Sequence, residues 1–171
     1  MRPIVAIDPG FNGAVVLRDA NWQGSLNAKF HRHSERGIAI HDLADAIVGM
    51  IAMVRNSASD IVFIIEDVHA IFGSAAKATF NFGFVAGQLN ALVHTIQPDP
   101  KKIIYVQPKV WQKEIWLPSD IVLKPNKKRP TKDTKKTSLN AYQRITGDLN
   151  ERHDGIIDAY LISQYARNIG L

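Results

Sequence analysis

The chain has 171 residues, 46% of them hydrophobic and 22% charged, with 21 Lys and Arg against 16 Asp and Glu. That length suits one domain with a substantial core and leaves no room for two large lobes around a shared cleft. Cysteine is absent, which excludes a disulfide framework, thiolate catalysis and thiolate zinc sites.

The N-terminal segment reaches Asp8 after only four consecutive apolar residues, Ile4 to Ile7, too few for the core of a secretory signal. Elsewhere no apolar run approaches the roughly 18 residues that span a bilayer. A soluble, intracellular protein in the cytoplasm is expected, with no membrane partner. After Ile4–Ile7 come Asp8-Pro9-Gly10 and Asn12-Gly13, then the apolar Ala14–Leu17. This reads as a strand, a turn and a returning strand. A polar region holding His31 and His33 leads to residues 41–56, where Leu43, Ala46, Ile47, Met50, Ile51 and Val54 recur at helical spacing. Residues 61–65 are continuously apolar, as in a central strand covered on both faces.

Residues 75–96 read as a long helix containing Gly83 and Gly87. Glycine costs a helix interior about 1 kcal/mol, so a close neighbour is expected against them. Phe80, Phe82 and Phe84 occupy more than one face of this helix and divide between core and intermolecular contacts. Residues 103–106 form another strand, and Pro108 opens a short helix through Trp116, packed by Trp111 and Trp116. Leu139, Tyr142 and Ile145 mark a further helix. The last runs from about residue 150 to 169, with Ile157, Leu161 and Tyr165 at four-residue steps. Strands first and then strands alternating with helices predict a single α/β domain over residues 1–171 with a mixed sheet.

The positive charge is local. Residues 124–136 hold Lys124, Lys127, Lys128, Arg129, Lys132, Lys135 and Lys136 against Asp133 alone, while the rest of the chain is close to neutral. Pro125 and Pro130 disfavour a helix, so the segment reads as a basic surface loop. Such a cluster favours a polyanion through phosphate contacts and counterion release, and nucleic acid is the expected partner. A solvated loop without a partner is the plainer alternative.

Four acids stand where they could meet. Asp8 and Glu66 each directly follow an apolar strand run. If those strands are parallel neighbours, both carboxylates emerge at the strands' carboxyl ends, where ligand sites in α/β sheets gather. Asp154 and Asp158 lie four apart on the last helix, one turn above the other, with His153 pointing roughly 100° away. Ile156, Ile157 and Leu161 turn much of that helix inward, so grouping four carboxylates is costly without a cation. Mg²⁺ takes such hard oxygen ligands. Two ions about 4 Å apart activate a water and stabilise the leaving oxygen in phosphodiester hydrolysis. Taken singly, each acid has a simpler role: Asp8 as a turn cap, Glu66 as a lysine's partner, Asp154 at a helix N-terminus.

Ile-Asp8-Pro-Gly10-x-x-Gly13, Ile-Ile-Glu66, Gly87-Gln88 and His153-Asp154-Gly-Ile-Ile-Asp158-Ala, in this order over nearly the whole chain, resemble RuvC-type Holliday junction resolvases, the phage-encoded branch above all. The resemblance implies a ribonuclease H-like fold: α/β, a mixed central sheet with helices on both faces. It also implies a homodimer that nicks paired strands of a four-way DNA junction with Mg²⁺, for which Mn²⁺ substitutes. Such an enzyme is a crossover junction endodeoxyribonuclease, and a phage-encoded one works in its host's cytoplasm.

By the same resemblance Asp8, Glu66, Asp154 and Asp158 are the metal-binding catalytic acids. The bacterial members generally carry the penultimate acid or His three residues before the final Asp, where this chain has Gly155. Asp154, directly or through water, and His153 therefore stand as alternative ligands. The family also sets a basic residue near the scissile phosphate, for which Lys109, Lys113, Lys135 and Lys136 are candidates. Phe72, between His69 and Gly73, stands where such enzymes present a wedge to the opened junction. It would stack on a base there or belong to the core.

Three rivals compete. An actin-like ATPase lobe needs a second lobe that this length cannot supply. A broader nuclease of branched DNA or RNA–DNA hybrids would use the same acids. A catalytically inactive DNA-binding scaffold of this fold would gain only repulsion from four carboxylates near phosphate.

Overall fold

A computed structural model of the chain describes residues 2–10, 12–19, 25–31, 38–54, 60–67, 75–125 and 130–171. Five strands form one sheet in the order β3-β2-β1-β4-β5. They are β1 (Ile4–Asp8), β2 (Ala14–Arg18), β3 (Leu26–Lys29), β4 (Val62–Glu66) and β5 (Ile103–Val106). β1 pairs antiparallel with β2 and parallel with β4, and β4 pairs parallel with β5. The helices are α1 (Ile40–Met53), α2 (Ala76–Ile96), α3 (Pro108–Ile115), α4 (Thr134–Thr146) and α5 (Asp154–Asn168).

The sheet is covered on both faces, which is why its central strands are unbroken apolar runs. Val5, Ile7, Phe63 and Ile65 pack with Leu43 and Ile47 of α1 and with Val85, Leu89 and Val93 of α2. Ile4, Ala6 and Ile64 point the other way, toward Trp111 of α3, Ala141 and Tyr142 of α4, and Ile157, Leu161 and Ile162 of α5. Side chains alternate along a strand. Asp8 continues the parity of Ile4 and Ala6, and Glu66 that of Ile64, so both acids project onto the α5 face.

The β1–β2 turn closes with Gly13 N–H donating to Gly10 O at 2.8 Å. A Cβ on Gly13 would lie 2.1 Å from Asp8 O and 2.7 Å from the Phe30 ring, so no other residue fits there. Residues 122–125 and 130–133 are the two sides of an arm, bridged by Leu123 and Lys132, with Lys124 N–H on Thr131 O and Asp133 N–H on Val122 O. At its base the buried Asp120 pairs with Arg144 at 2.9 Å, and Val122 N–H donates to Thr137 Oγ1.

Several expectations shift. β3 has no counterpart in the sequence reading: it is a four-residue strand of alternating exposure at the sheet edge. The basic segment ends in a helix, since the Asp133 side chain caps α4 through Lys136 N–H, so Lys135 and Lys136 are helical. α5 begins at Asp154 rather than near residue 150, because His153 serves as its cap: Nδ1 accepts from Ile156 N–H at 3.3 Å. Among the described residues no close neighbour stands at Gly83 or Gly87, where a Cβ meets nothing within 4 Å. α2 buries its Val85–Leu89–Val93 stripe, and on the opposite face Phe80 and Phe84 are exposed and stacked at 6.3 Å. No described helix is long and apolar enough to cross a membrane.

Candidate active site

The parallel register pairs Ile7 with Ile65, so the next residues of β1 and β4, Asp8 and Glu66, leave the sheet side by side. α5 brings the other two acids to them. A Cβ on Gly155 would lie 2.4 Å from Asn12 O and 2.7 Å from the Gly13 carbonyl carbon. The first turn of α5 therefore rests backbone to backbone on the β1–β2 turn, and only glycine permits it. Position 155 can bear no side chain of its own; Asp154 and Asp158 flank it on the helix face that approaches Asp8.

Each acid is held by a donor of the chain. Asp8 Oδ1 accepts from Gly10 N–H at 2.9 Å. Glu66 Oε1 accepts from Trp111 Nε1 at 2.8 Å. Asp154 Oδ2 meets Lys135 Nζ at 2.5 Å, on the exposed side of the group. Asp158 accepts from the Ser138 hydroxyl, yet its Oδ1 is buried without any partner.

Their electrostatics record the crowding. Burial raises Asp8 to a pKa of about 6, with the Gly10 bond opposing and the Asp154 charge reinforcing the shift. Glu66 rises to about 7 through burial and then the charge of Asp8, against the Trp111 bond. Asp158 reaches about 8 through burial, then the charge of Asp8, with Glu66 and Asp154 adding to it. Like charges in a half-dry site disfavour joint ionisation. The protein's own answer is one ammonium: Lys135 neutralises Asp154 and is itself raised by that contact.

As they stand, no three His, Asp or Glu side chains among the described residues close around one point as metal ligands. The donor chemistry nevertheless suits a hard divalent cation. The four groups are all carboxylates, which Mg²⁺ and Mn²⁺ prefer, and the orphaned Asp158 Oδ1 is a buried acceptor with a lone pair to give. His153 fits less well. Its Nδ1 is spent on the helix cap, and burial and then the nearby Lys29 charge depress its pKa.

Of the basic candidates, Lys109, Lys113 and Lys132 line one cavity of about 480 Å³ with Trp116. Lys132 Nζ lies 5.8 Å over the Trp116 ring. Lys124 and Lys136 are exposed. Phe72, Lys127, Lys128 and Arg129 lie outside the described residues. Sequence reading missed Trp111 and Ser138 as partners of the acids. Nothing in their local spacing signals it, since each reaches a carboxylate on a different element.

A scan against protein-family models and a search of curated protein sequences both match nothing. Solved structures do match. RuvC of T. thermophilus in complex with a Holliday junction substrate superposes with a TM-score of 0.56 over 99% of this chain and 97% of that one, at 12% identity. A second Thermus thermophilus RuvC structure gives a TM-score of 0.55 over 98% and 96%, at 11% identity. The likeness extends over essentially the full length of both chains: this protein has the ribonuclease H-like α/β fold of RuvC, a mixed five-stranded sheet between two layers of helices.

Proposed function

We propose that the protein is a divalent-metal-dependent endonuclease that resolves four-way DNA junctions by paired nicks. The observation that carries this reading is electrostatic: Asp8, Glu66, Asp154 and Asp158, from β1, β4 and α5, act on one another's charge, and three of them have strongly raised pKa values. An arrangement so costly to charge gains from bound cations and from little else. The fold it shares with a RuvC bound to a Holliday junction substrate supports branched DNA as the partner.

A pair of Mg²⁺ ions, or Mn²⁺ in their stead, would supply a polarised water and charge neutralisation at the leaving oxygen. The chain's residues do the rest. Asp8 and Asp158, fixed by Gly10 and Ser138, present oxygens from opposite walls. Trp111 aims Glu66. Lys135, which pairs with Asp154 here, would serve the phosphate with its ammonium where Asp154 holds a metal. Lys109, Lys113 and Lys132 hold the backbone of the same strand, joined by Lys124 and Lys136 and by Lys127, Lys128 and Arg129 between them in sequence, while Phe72 meets the opened bases.

Two strands cut as a pair need two such sites, which a two-fold homodimer supplies. The exposed Phe80–Phe84 face of α2 is the surface we assign to it.

The test is direct. Strand-labelled four-way junctions, forks, flaps and RNA–DNA hybrids are incubated with Mg²⁺, with Mn²⁺ and with chelator. Junctions are expected to be nicked on two opposed strands only when metal is present. Asp158→Asn is expected to abolish cutting while retaining or tightening junction binding, because one anion beside the DNA is removed. Cutting by Asp158→Asn at the parent rate would refute the assignment, and equal cutting of all substrates would point to a broader nuclease.

A further inference from the structure

At the pole of the sheet opposite the acids lies a cavity built on cations. Arg18 ends β2, where the register sets it beside Ile4, at the far end of β1 from Asp8. It follows the parity of Ala14 and Val16, which pack on α5. Its Nη1 donates to Gln164 Oε1 at 2.8 Å and to Ser163 Oγ at 3.5 Å. Its guanidinium carbon sits 4.4 Å from the centre of the Tyr160 ring. Only 6% of Arg18 is exposed, yet its Nε has no hydrogen-bond partner. A buried donor left unmatched is costly, the more so on a charged group.

A second guanidinium aggravates this. After burial, the charge of Arg167 is what lowers the Arg18 pKa. Arg167 is tethered through Nη2 to Asp19 O. The two cations share an open cavity of about 450 Å³ with the hydroxyl-bearing Ser25, Thr146, Tyr142 and Tyr160, and no acidic side chain is among its described lining residues. Two like charges in a partly dry site repel, and an anion between them turns repulsion into attraction. The guanidinium fork matches phosphate oxygens two at a time.

We propose that this cavity is an anion site that takes a phosphate group, gripped by Arg167 and Arg18 with the Ser25 hydroxyl. Arg167 follows Asp158 by nine residues on α5, about 14 Å along the axis at 1.5 Å per residue, so this is a site apart from the acids. It stands whether or not those acids cut DNA. The phosphate is one of a DNA arm lying along α5 or belongs to a small free phosphate, and the recognition chemistry is the same.

Inorganic phosphate is titrated into the full chain without metal, at ionic strength held constant with KCl, and followed by amide NMR shifts and thermal unfolding. Saturable shifts are expected at the amides of Thr146, Gln164 and Arg167, with a rise in Tm. Both are expected to vanish in Arg167→Gln, to survive partly in Arg167→Lys, and to persist in Lys101→Ala, a change at an exposed lysine remote from both sites. Arg18 is too buried for its own substitution to be informative, so Arg167 carries the test. Absence of saturable shifts, or shifts unchanged in Arg167→Gln, would overturn the proposal.

Binding of labelled four-way junction and of plain duplex, again without metal, identifies the source. A DNA source predicts weaker binding by Arg167→Gln and a salt slope reduced by about 0.9. Unchanged DNA affinity beside lost phosphate binding assigns the site to a free phosphate. Cleavage is measured nowhere in this experiment, so its failure leaves the nuclease reading untouched, and the reverse holds too.

Discussion

Burial and mutual repulsion give Asp8, Glu66 and Asp158 pKa values of about 6, 7 and 8 in the folded, metal-free chain. Unfolded, each would titrate near 4. Between about pH 4 and pH 8 the native state thus holds protons that the unfolded state has released, and stability must fall as pH rises through that window. The expected observation is a Tm that declines from pH 5 to pH 8.5 in chelator and declines much less in millimolar Mg²⁺, which binds the ionised form. Asp158→Asn should raise the metal-free Tm at pH 8, by roughly 2–4 °C for each kcal/mol of repulsion removed. A metal-free Tm that climbs across the same range would break the link between these acids and stability. Asp8 and Glu66 were legible as a pair because each closes an apolar run, and Asp154 with Asp158 because four residues make a helical turn. Trp111 and Ser138 were not, because a hydrogen bond between separate elements leaves no trace in spacing. Trp111 looked like packing and is that as well, fully buried beside Trp116.

The position of α5 decides whether the acids meet. Its N-terminal turn touches the β1–β2 turn at Gly155, where a Cβ would fall 2.4 Å from Asn12 O. Gly155→Ala forces backbone apart, an overpacking cost of about 1–3 kcal/mol, and carries Asp154 and Asp158 away from Asp8. The variant should keep its helical circular dichroism, melt several degrees lower, and lose most of its metal-induced stabilisation. A parent-like response to Mg²⁺ would mean the contact does not position the acids. The helices were legible where apolar residues recur at helical spacing, which is why α1 and α2 match their expected spans closely and why α4 carries Leu139, Tyr142 and Ile145, although it begins inside the segment read as a basic loop. The start of α5 was not. Asn150 to Arg152 are polar and carry no helix breaker, and His153 acts as cap through a ring nitrogen rather than one of the usual short oxygen side chains. β3 escaped notice because Leu26 and Ala28 are its only apolar residues. Gly83 and Gly87 raised the expectation of a close neighbour, and among the described residues none comes within 4 Å of a Cβ on either.

Across the whole molecule, the exposed face of α2 bears on assembly. Phe80 is 61% and Phe84 45% exposed, stacked on each other beside the two glycines. Replacing both with Asp should leave the fold and the metal response intact, because neither belongs to the core. On the proposed function, it should shift sedimentation from dimer to monomer, and turn paired incision of a junction into independent single nicks. Unchanged sedimentation of the double variant would move the interface elsewhere. The mixed character of the sheet followed from the sequence of strands and helices, but the strand order β3-β2-β1-β4-β5 did not. The parallel β1–β4 pairing joins segments separated by more than fifty residues, and it is settled by which faces find cover, information spread over the entire chain.

The contact at Gly155 has a consequence for folding. Asp8 and Glu66 stand on sheet strands while Asp154 and Asp158 stand on α5, and the two pairs are joined through the close approach of Gly155 to Asn12 and Gly13. A refolding intermediate with its sheet formed and α5 not yet seated therefore keeps the acids apart, and the response to divalent ions should emerge with the docking of that helix rather than with the earlier collapse.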